Sequence, residues 1–274
     1  MRLRGIPLAL QFLTVIPVKI TGRVSPQDVS GSSIFFPVVG AFQGLLLSVC
    51  SFLLLSRFSA DAAGVILVLF YALSNGGFHL DGLSDTFDAL SVKSTGNHET
   101  DREKRLKAMK DSTTGSIGVV SLCLALLLKY VLVREILIYS SYFNTSLILF
   151  LMPVLPKWTM VAAMCRAAGA RKEGLGMIFL ENTKAGHVVL TTLVTLALGF
   201  GAFSVASLTG PGTLLSGLSL FTPFLLSGMA ILALFARFLT RIFEKAFGGL
   251  TGDNFGAIHE ISEIIFLAIT CLWK

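Results

Sequence analysis

Three aspartates, Asp81, Asp85 and Asp88, follow one another at intervals of four and three residues within the stretch Gly76-Gly77-Phe78-His79-Leu80-Asp81-Gly82-Leu83-Ser84-Asp85-Thr86-Phe87-Asp88. On a helix this spacing places the three carboxylates within about 60° of one another. Like charges so close repel, and nearness to lipid adds a desolvation cost. A divalent cation relieves both, and hard oxygen ligands suit magnesium or manganese. The plain alternative is a solvated acidic helix end. Against it, the cluster follows directly on an apolar run and alternates with Leu80, Leu83 and Phe87. His79 is harder to place, because on a regular helix it points about 160° away from Asp81. Gly76, Gly77 and Gly82 supply the freedom for an unwound turn that would change this. A hydrogen-bonding histidine at the interface and a catalytic one therefore both stay open. His98, His187 and His259 read as ordinary polar or interfacial residues.

Two further segments carry chemistry. Arg105-Leu106-Lys107-Ala108-Met109-Lys110-Asp111-Ser112-Thr113-Thr114-Gly115-Ser116-Ile117-Gly118 leads into an apolar run with small and hydroxyl residues at its start. Free N–H groups at a helix N-terminus favour an anion such as phosphate, with Ser112 and Gly115 at hand and Lys110 as a point charge. Asp111 either joins a metal site or caps the helix. The second segment is Gly248-Gly249-Leu250-Thr251-Gly252-Asp253-Asn254-Phe255-Gly256-Ala257-Ile258-His259-Glu260-Ile261-Ser262-Glu263, a glycine-rich turn opening the last apolar run. Asp253, Gly256, Glu260 and Glu263 share a helical face about 80° wide. Gly256 lets a ligand or a neighbouring helix come close. Glu260 and Glu263 fall inside the hydrophobic zone, where a charge costs at least about 2.5–3.5 kcal/mol and is a functional candidate by default. A structural hydrogen bond between helices is the alternative.

The elements that must hold these residues follow from composition. Of 274 residues, 54% are hydrophobic and only 14% charged, and the mean hydropathy is +0.79. That is too little polar surface to cover a water-soluble globule. Several continuous apolar stretches reach the roughly 20 residues a helix needs to cross a bilayer core. The expected fold is an all-α, polytopic bundle forming a single integral membrane domain. About seven spans are expected, near Ser33–Ser56, Ala60–Leu80, Gly115–Leu137, Phe143–Met164, Gly186–Leu208, Thr213–Phe235 and Phe255–Trp273. Before them Ile6–Val18 is too short to cross and reads as an interfacial or re-entrant helix. Cys50, Cys123, Cys165 and Cys271 lie singly in apolar runs and read as small hydrophobes. No cleavable signal peptide is expected in Met1–Pro17.

Charge sets the orientation. With the N-terminus in the cytoplasm, seventeen of the 22 lysines and arginines fall on cytoplasmic loops, among them Arg2, Arg102, Lys110, Arg166, Arg171 and Lys245. Only Arg57 and Lys274 fall clearly outside, while Lys129, Arg134 and Lys157 lie within or near spans. The same rule accounts for the net charge of +6 without nucleic acid as a partner. The segments His79–Asp111, Glu173–Glu181 and Gly248–Glu263 then meet at the cytoplasmic face, which implies one composite site.

Taken together these motifs resemble the cobalamin synthase family, the adenosylcobinamide-GDP ribazoletransferases, over nearly the whole chain. The resemblance rests on Gly76–Thr86, on Met109-Lys110-Asp111-Ser112 with Gly115 and Gly118, and on Gly249–Asp253 with Gly256-Ala257 and Glu260. Gln11-Phe12-Leu13-Thr14, Phe36-Pro37-Val38-Val39-Gly40 and Glu173-Gly174-Leu175-Gly176 support it. Phe78, Ser84 and Lys157 stand where leucine, alanine and arginine are usual, and none removes a candidate ligand. The resemblance implies a transferase of the bacterial inner membrane that joins the lower nucleotide loop of cobalamin. A ribose hydroxyl of α-ribazole, or of its 5′-phosphate, attacks the pyrophosphate of adenosylcobinamide-GDP with magnesium as cofactor, and GMP leaves. Lipids are further partners, and a homo-oligomer is allowed but not required. On this reading Asp81, Asp85, Asp88, Asp111 and Asp253 are the metal-ligand set. Asp81, Asp85, His79, Lys110 and Asp111 are the catalytic set. Lys110, Ser112, Gly115, Thr251, Gly252, Glu260 and Glu263 lie on the substrate side.

Two other classes share some of these features. CDP-alcohol phosphotransferases also use membrane aspartates with magnesium, but their signature continues into a later Asp-x-x-x-Asp pair, which is missing here before Asp101. A cation- or proton-coupled transporter would place its acidic groups near the midplane and often shows an inverted repeat; none is visible.

Overall fold

The computed structural model describes residues 4–165, 167–208 and 214–272. Arg2, Arg166 and Lys274 of the charge count, and Thr213 and Trp273 of the expected spans, lie outside them. The described chain is helical: α1 (Gly5–Leu13), α2 (Pro26–Ser32), α3 (Phe36–Leu55), α4 (Ala60–Ser74), α5 (Phe78–Ser91) and α6 (His98–Ala108). There follow α7 (Ser116–Tyr139), α8 (Tyr142–Met164), α9 (Leu175–Asn182), α10 (Ala185–Ser207), α11 (Leu214–Phe247) and α12 (Gly252–Leu272). Six helical spans among the described residues are long and apolar enough to cross a membrane, α2 and α3 running together as one of them. The pair α4–α5 makes a seventh if it is counted as one broken span. As the sequence requires, α1 is too short to cross; it packs against α2 and α3 and buries Leu8, Ala9 and Leu13.

The break between α4 and α5 corrects the second expected span. Instead of continuing to Leu80, α4 stops at Ser74, and the axis turns by 87° before α5 begins. The cause is local. Gly76 and Gly77 take φ of +62° and +71°, a region open to glycine at no steric cost. The Gly77 N–H bonds to the Ala72 carbonyl and the Gly76 N–H to the Leu73 carbonyl. This pair of bonds satisfies the orphan carbonyls at a helix end and stops the helix. The aspartates thus ride on a helix of their own rather than on the end of a span. Two other boundaries also shift: α11 runs on to Phe247, and α12 begins at Gly252, taking Asp253 into its first turn.

At the centre stands α8, buried without interruption from residue 151 to 161. It packs against α3, α10, α11 and α12. Helices in lipid gain little from the hydrophobic effect and associate where small residues let backbones approach. Gly40 and Gly44 do this on α3. A Cβ at Gly40 would lie 2.6 Å from the Pro153 carbonyl oxygen, and one at Gly44 would collide with the Phe150 backbone. Outward faces stay apolar, as Leu124, Leu127, Leu128 and Val131 of α7 illustrate.

Outside the apolar bundle, the connection from α5 to α6 is organised by Asp101, which accepts hydrogen bonds from Ser94 and from the N–H and hydroxyl of Thr95. These bonds, that of Ser94 first, hold its carboxyl at about 2, below the ordinary 3.8.

Two expectations follow. Gly44→Val should lower the stability of the detergent-solubilised protein by about 1–3 kcal/mol, read from its thermal transition. Because Asp101 is depressed in the folded state, its stabilisation is complete above about pH 4 and is lost as pH falls toward about 2. Asp101→Asn should flatten that part of the stability–pH curve.

Candidate functional site

The site is built where α5 crosses α12. A Cβ on Gly82 of α5 would stand 2.6 Å from the Asp253 carbonyl oxygen, and one on Gly256 of α12 would stand 2.9 Å from the His79 carbonyl oxygen. Only glycine allows backbones this near. The Asn254 amide adds a hydrogen bond to Thr86 Oγ1 at 3.1 Å. Thr251 and Asn254 cap α12 reciprocally: the Thr251 N–H bonds to Asn254 Oδ1 and the Asn254 N–H to Thr251 Oγ1. Thr251 is thereby buried, while the neighbouring Gly252 stays exposed.

This crossing brings Asp81 and Asp85 of α5 near Asp253 of α12, close enough for their charges to interact. Asp81 is exposed, and Asp85 and Asp253 are half-buried. A cation faces them: Arg171 reaches Asp253 at 3.3 Å. Its loop is clamped by backbone bonds from Ala170 N–H to the Leu250 carbonyl and from Leu250 N–H to the Ala168 carbonyl, and by Arg102 on the Ala170 carbonyl. The three loops expected to form one composite site do meet. Arg171 was visible in the sequence only as one more positive charge; its place beside the Glu173–Gly176 motif was the signal available.

Asp88 is employed differently from the expectation. Its two carboxylate oxygens accept the N–H groups of Gly115 and Gly118, each at 2.7 Å. The N-terminus of α7 is thus already filled by a protein carboxylate, which takes Asp88 out of the metal set and Gly115 out of the phosphate contacts. The helix dipole favours an anion there, and α5 provides it. Lys110, Asp111 and Ser112 stand exposed on the turn before α7. Asp111 bonds to the hydroxyl and N–H of Thr113, which hold its carboxyl below the usual range, the hydroxyl most.

Below the aspartates lies a buried polar layer from five helices. Lys129 of α7 contacts both Glu260 and Glu263 of α12. Tyr71 of α4 donates its hydroxyl proton to Glu263, and Lys157 of α8 donates to Tyr71 Oη at 3.3 Å. Glu260 and Glu263, expected on the substrate side, are matched by lysine instead, because a carboxylate in lipid needs a counter-charge more than a ligand. His259 is not interfacial: it is fully buried, and its ring lies 3.9 Å from that of His79 of α5, tilted by 31°. A small cavity between these helices is lined by Tyr71, Asn75, His79, Lys129, Met152 and Glu260.

Two groups of candidate ligands can now be compared. Among the described residues, His79, His259 and Glu260 bring donor atoms within 4.8 Å of one another. Two ammonium groups already balance the two carboxylates of that layer, so a dication would add unmatched charge. The three aspartates do not converge as tightly, but they are accessible hard-oxygen donors, with Arg171 opposing them among the described residues. The donor set that fits magnesium is therefore Asp81, Asp85 and Asp253.

A polytopic helical membrane protein with a cluster of carboxylates at one end of the bundle is the class that fold and site define. The chain belongs to the cobalamin-5-phosphate synthase family, whose pattern matches residues 5–271. It is 34% identical to an adenosylcobinamide-GDP ribazoletransferase of Thermodesulfovibrio yellowstonii over 95% of this chain and 93% of that one. A protein of the same name from Geotalea daltonii is 33% identical over 95% and 94%, and one from Pseudomonas entomophila is 34% identical over 95% of each. No solved structure matches the chain.

The matched layer makes a prediction. Lys129→Met leaves two buried carboxylates short of a partner and should cost about 3–5 kcal/mol. Adding Glu260→Gln should recover part of that loss, measured as the thermal transitions of single and double variants.

Proposed function

We propose that the protein closes the lower nucleotide loop of cobalamin. A ribose hydroxyl of α-ribazole, or of its 5′-phosphate, attacks the pyrophosphate phosphorus that stays with the corrinoid in adenosylcobinamide-GDP. The new O–P bond forms as the bond to GMP breaks, giving adenosylcobalamin or its 5′-phosphate. The family match over nearly the whole chain carries this reading. Displacement at a pyrophosphate asks for charge neutralisation and in-line positioning more than for covalent help, which suits a site of carboxylates and cations.

Asp81, Asp85 and Asp253 would hold magnesium, which when bound neutralises charge on the pyrophosphate. Arg171, poised at Asp253, is a second source of positive charge for the phosphates, and Lys110 on the turn before α7 is a third. His79 lines the cavity beside this site, and its Nδ1 has no hydrogen-bond partner among the described residues. It is our candidate to take the proton of the attacking hydroxyl. The distribution of lysine and arginine favours a bacterial inner membrane with the N-terminus and the site facing the cytoplasm.

The test is release of GMP from adenosylcobinamide-GDP plus α-ribazole by purified protein, with and without magnesium. Asp81→Ala and Asp85→Ala should each lower turnover at least about 100-fold while leaving membrane insertion intact. Near-normal turnover in both would remove the metal assignment, and no GMP from the unaltered protein would remove the reaction.

A further inference from the structure

The carboxylates of the proposed magnesium site sit on two helices, so the spacing of α5 and α12 decides whether they can act together. Two of the contacts that set this spacing lie at the backbone, Gly82 against Asp253 and Gly256 against His79. Residues 82 and 79 of one helix thus meet residues 253 and 256 of the other, so the two run past each other in opposite directions. Glycine contacts permit close approach, yet they present no side chain that resists rocking or sliding. Asn254 and Thr86 pin the crossing beside Asp253. At the other end the rings of His79 and His259 pack on one another, 3.9 Å between centroids and tilted by 31°, both buried.

The His259 ring is held there by shape. Among the described residues neither of its nitrogens has a hydrogen-bond partner, and Nδ1 stands 3.4 Å from Glu263 and 3.8 Å from Glu260 outside bonding geometry. Glu260 and Glu263 on the same helix are fixed by Lys129 and Tyr71. The ring is therefore carried by a stretch of α12 anchored by buried charge and packs on His79 of α5.

We infer that His259 is a positioning residue: by stacking on His79 it sets the separation of α5 and α12, and so the gap between Asp81 and Asp85 on one side and Asp253 on the other. The inference rests on the metal site proposed above. It differs from a purely structural role in that it bears on cation affinity in the absence of substrate.

The experiment is manganese binding to the purified full-length protein without substrate, followed by electron paramagnetic resonance. His259→Ala should weaken binding at least about tenfold, as loss of an outer support of a metal site does, and His259→Phe should stay within about threefold of the unaltered protein. His259→Leu, which fills the volume without a flat face, should behave as the alanine variant does and replaces it if that variant does not fold. Unaltered affinity in His259→Ala or His259→Leu overturns the inference, as does a His259→Phe variant as weak as they are. Asp81→Asn and Asp253→Asn separate the two readings. If neither changes manganese binding, the metal site falls and the inference with it. If both abolish binding while the His259 variants do not affect it, the inference alone falls.

Discussion

Two ammonium groups and two carboxylates share one layer inside a bundle whose outer faces are apolar, and neither pair can stay there without the other. An isolated charge at this depth costs several kcal/mol, so Lys129 obliges α7 to keep Glu260 and Glu263 in register, and α12 with them, while Lys157 of α8 joins the layer through the Tyr71 hydroxyl. Tyr71 extends the obligation to α4. With α12 held on three sides, its remaining glycine face receives α5, and the position of every carboxylate in the site follows. Rigid backbone contact, buried charge matching and an accessible acidic rim thus form a sequence of dependence running from the middle of the bundle to its end.

The same dependence explains why apparently similar acidic residues are put to different uses. Asp88 lies one helical turn beyond Asp85, yet it faces α7 and spends both oxygens on helix N–H groups. Glu260 and Asp253 lie on one helix, but the first is wrapped in protein and the second stands at the helix start with Arg171 opposite. Depth and neighbours, rather than residue type, divide the carboxylates into those spent on structure and those left accessible at the rim.

Much of this was legible in the sequence. Apolar runs of membrane length located most of the spans, and Gly256 announced a close helix approach that Gly82 and His79 supply. The glycine pair at 76–77 was read as a possible unwinding, but its 87° turn depends on α4 being capped there, which hydropathy does not register. The buried partners were hidden for a different reason. Lys129 and Glu260 lie 131 residues apart, and a single lysine in an apolar run looks the same whether it meets a carboxylate or reaches for the interface. His259 was misread because nothing local distinguishes a ring stacked in a core from one at a membrane surface. Arg171 was hidden by its company, one cation among many on a basic face.

The distance along the chain between those partners has a consequence for synthesis. Lys129 leaves the ribosome 131 residues ahead of Glu260, a delay on the order of ten seconds at ordinary elongation rates. Throughout that interval α7 carries an ammonium group whose counter-charge does not yet exist, so it must wait near the headgroups or beside a translocation partner. The charge-matched layer can therefore close only when α12 arrives, and a chain cut short before α12 leaves Lys129 without its carboxylates.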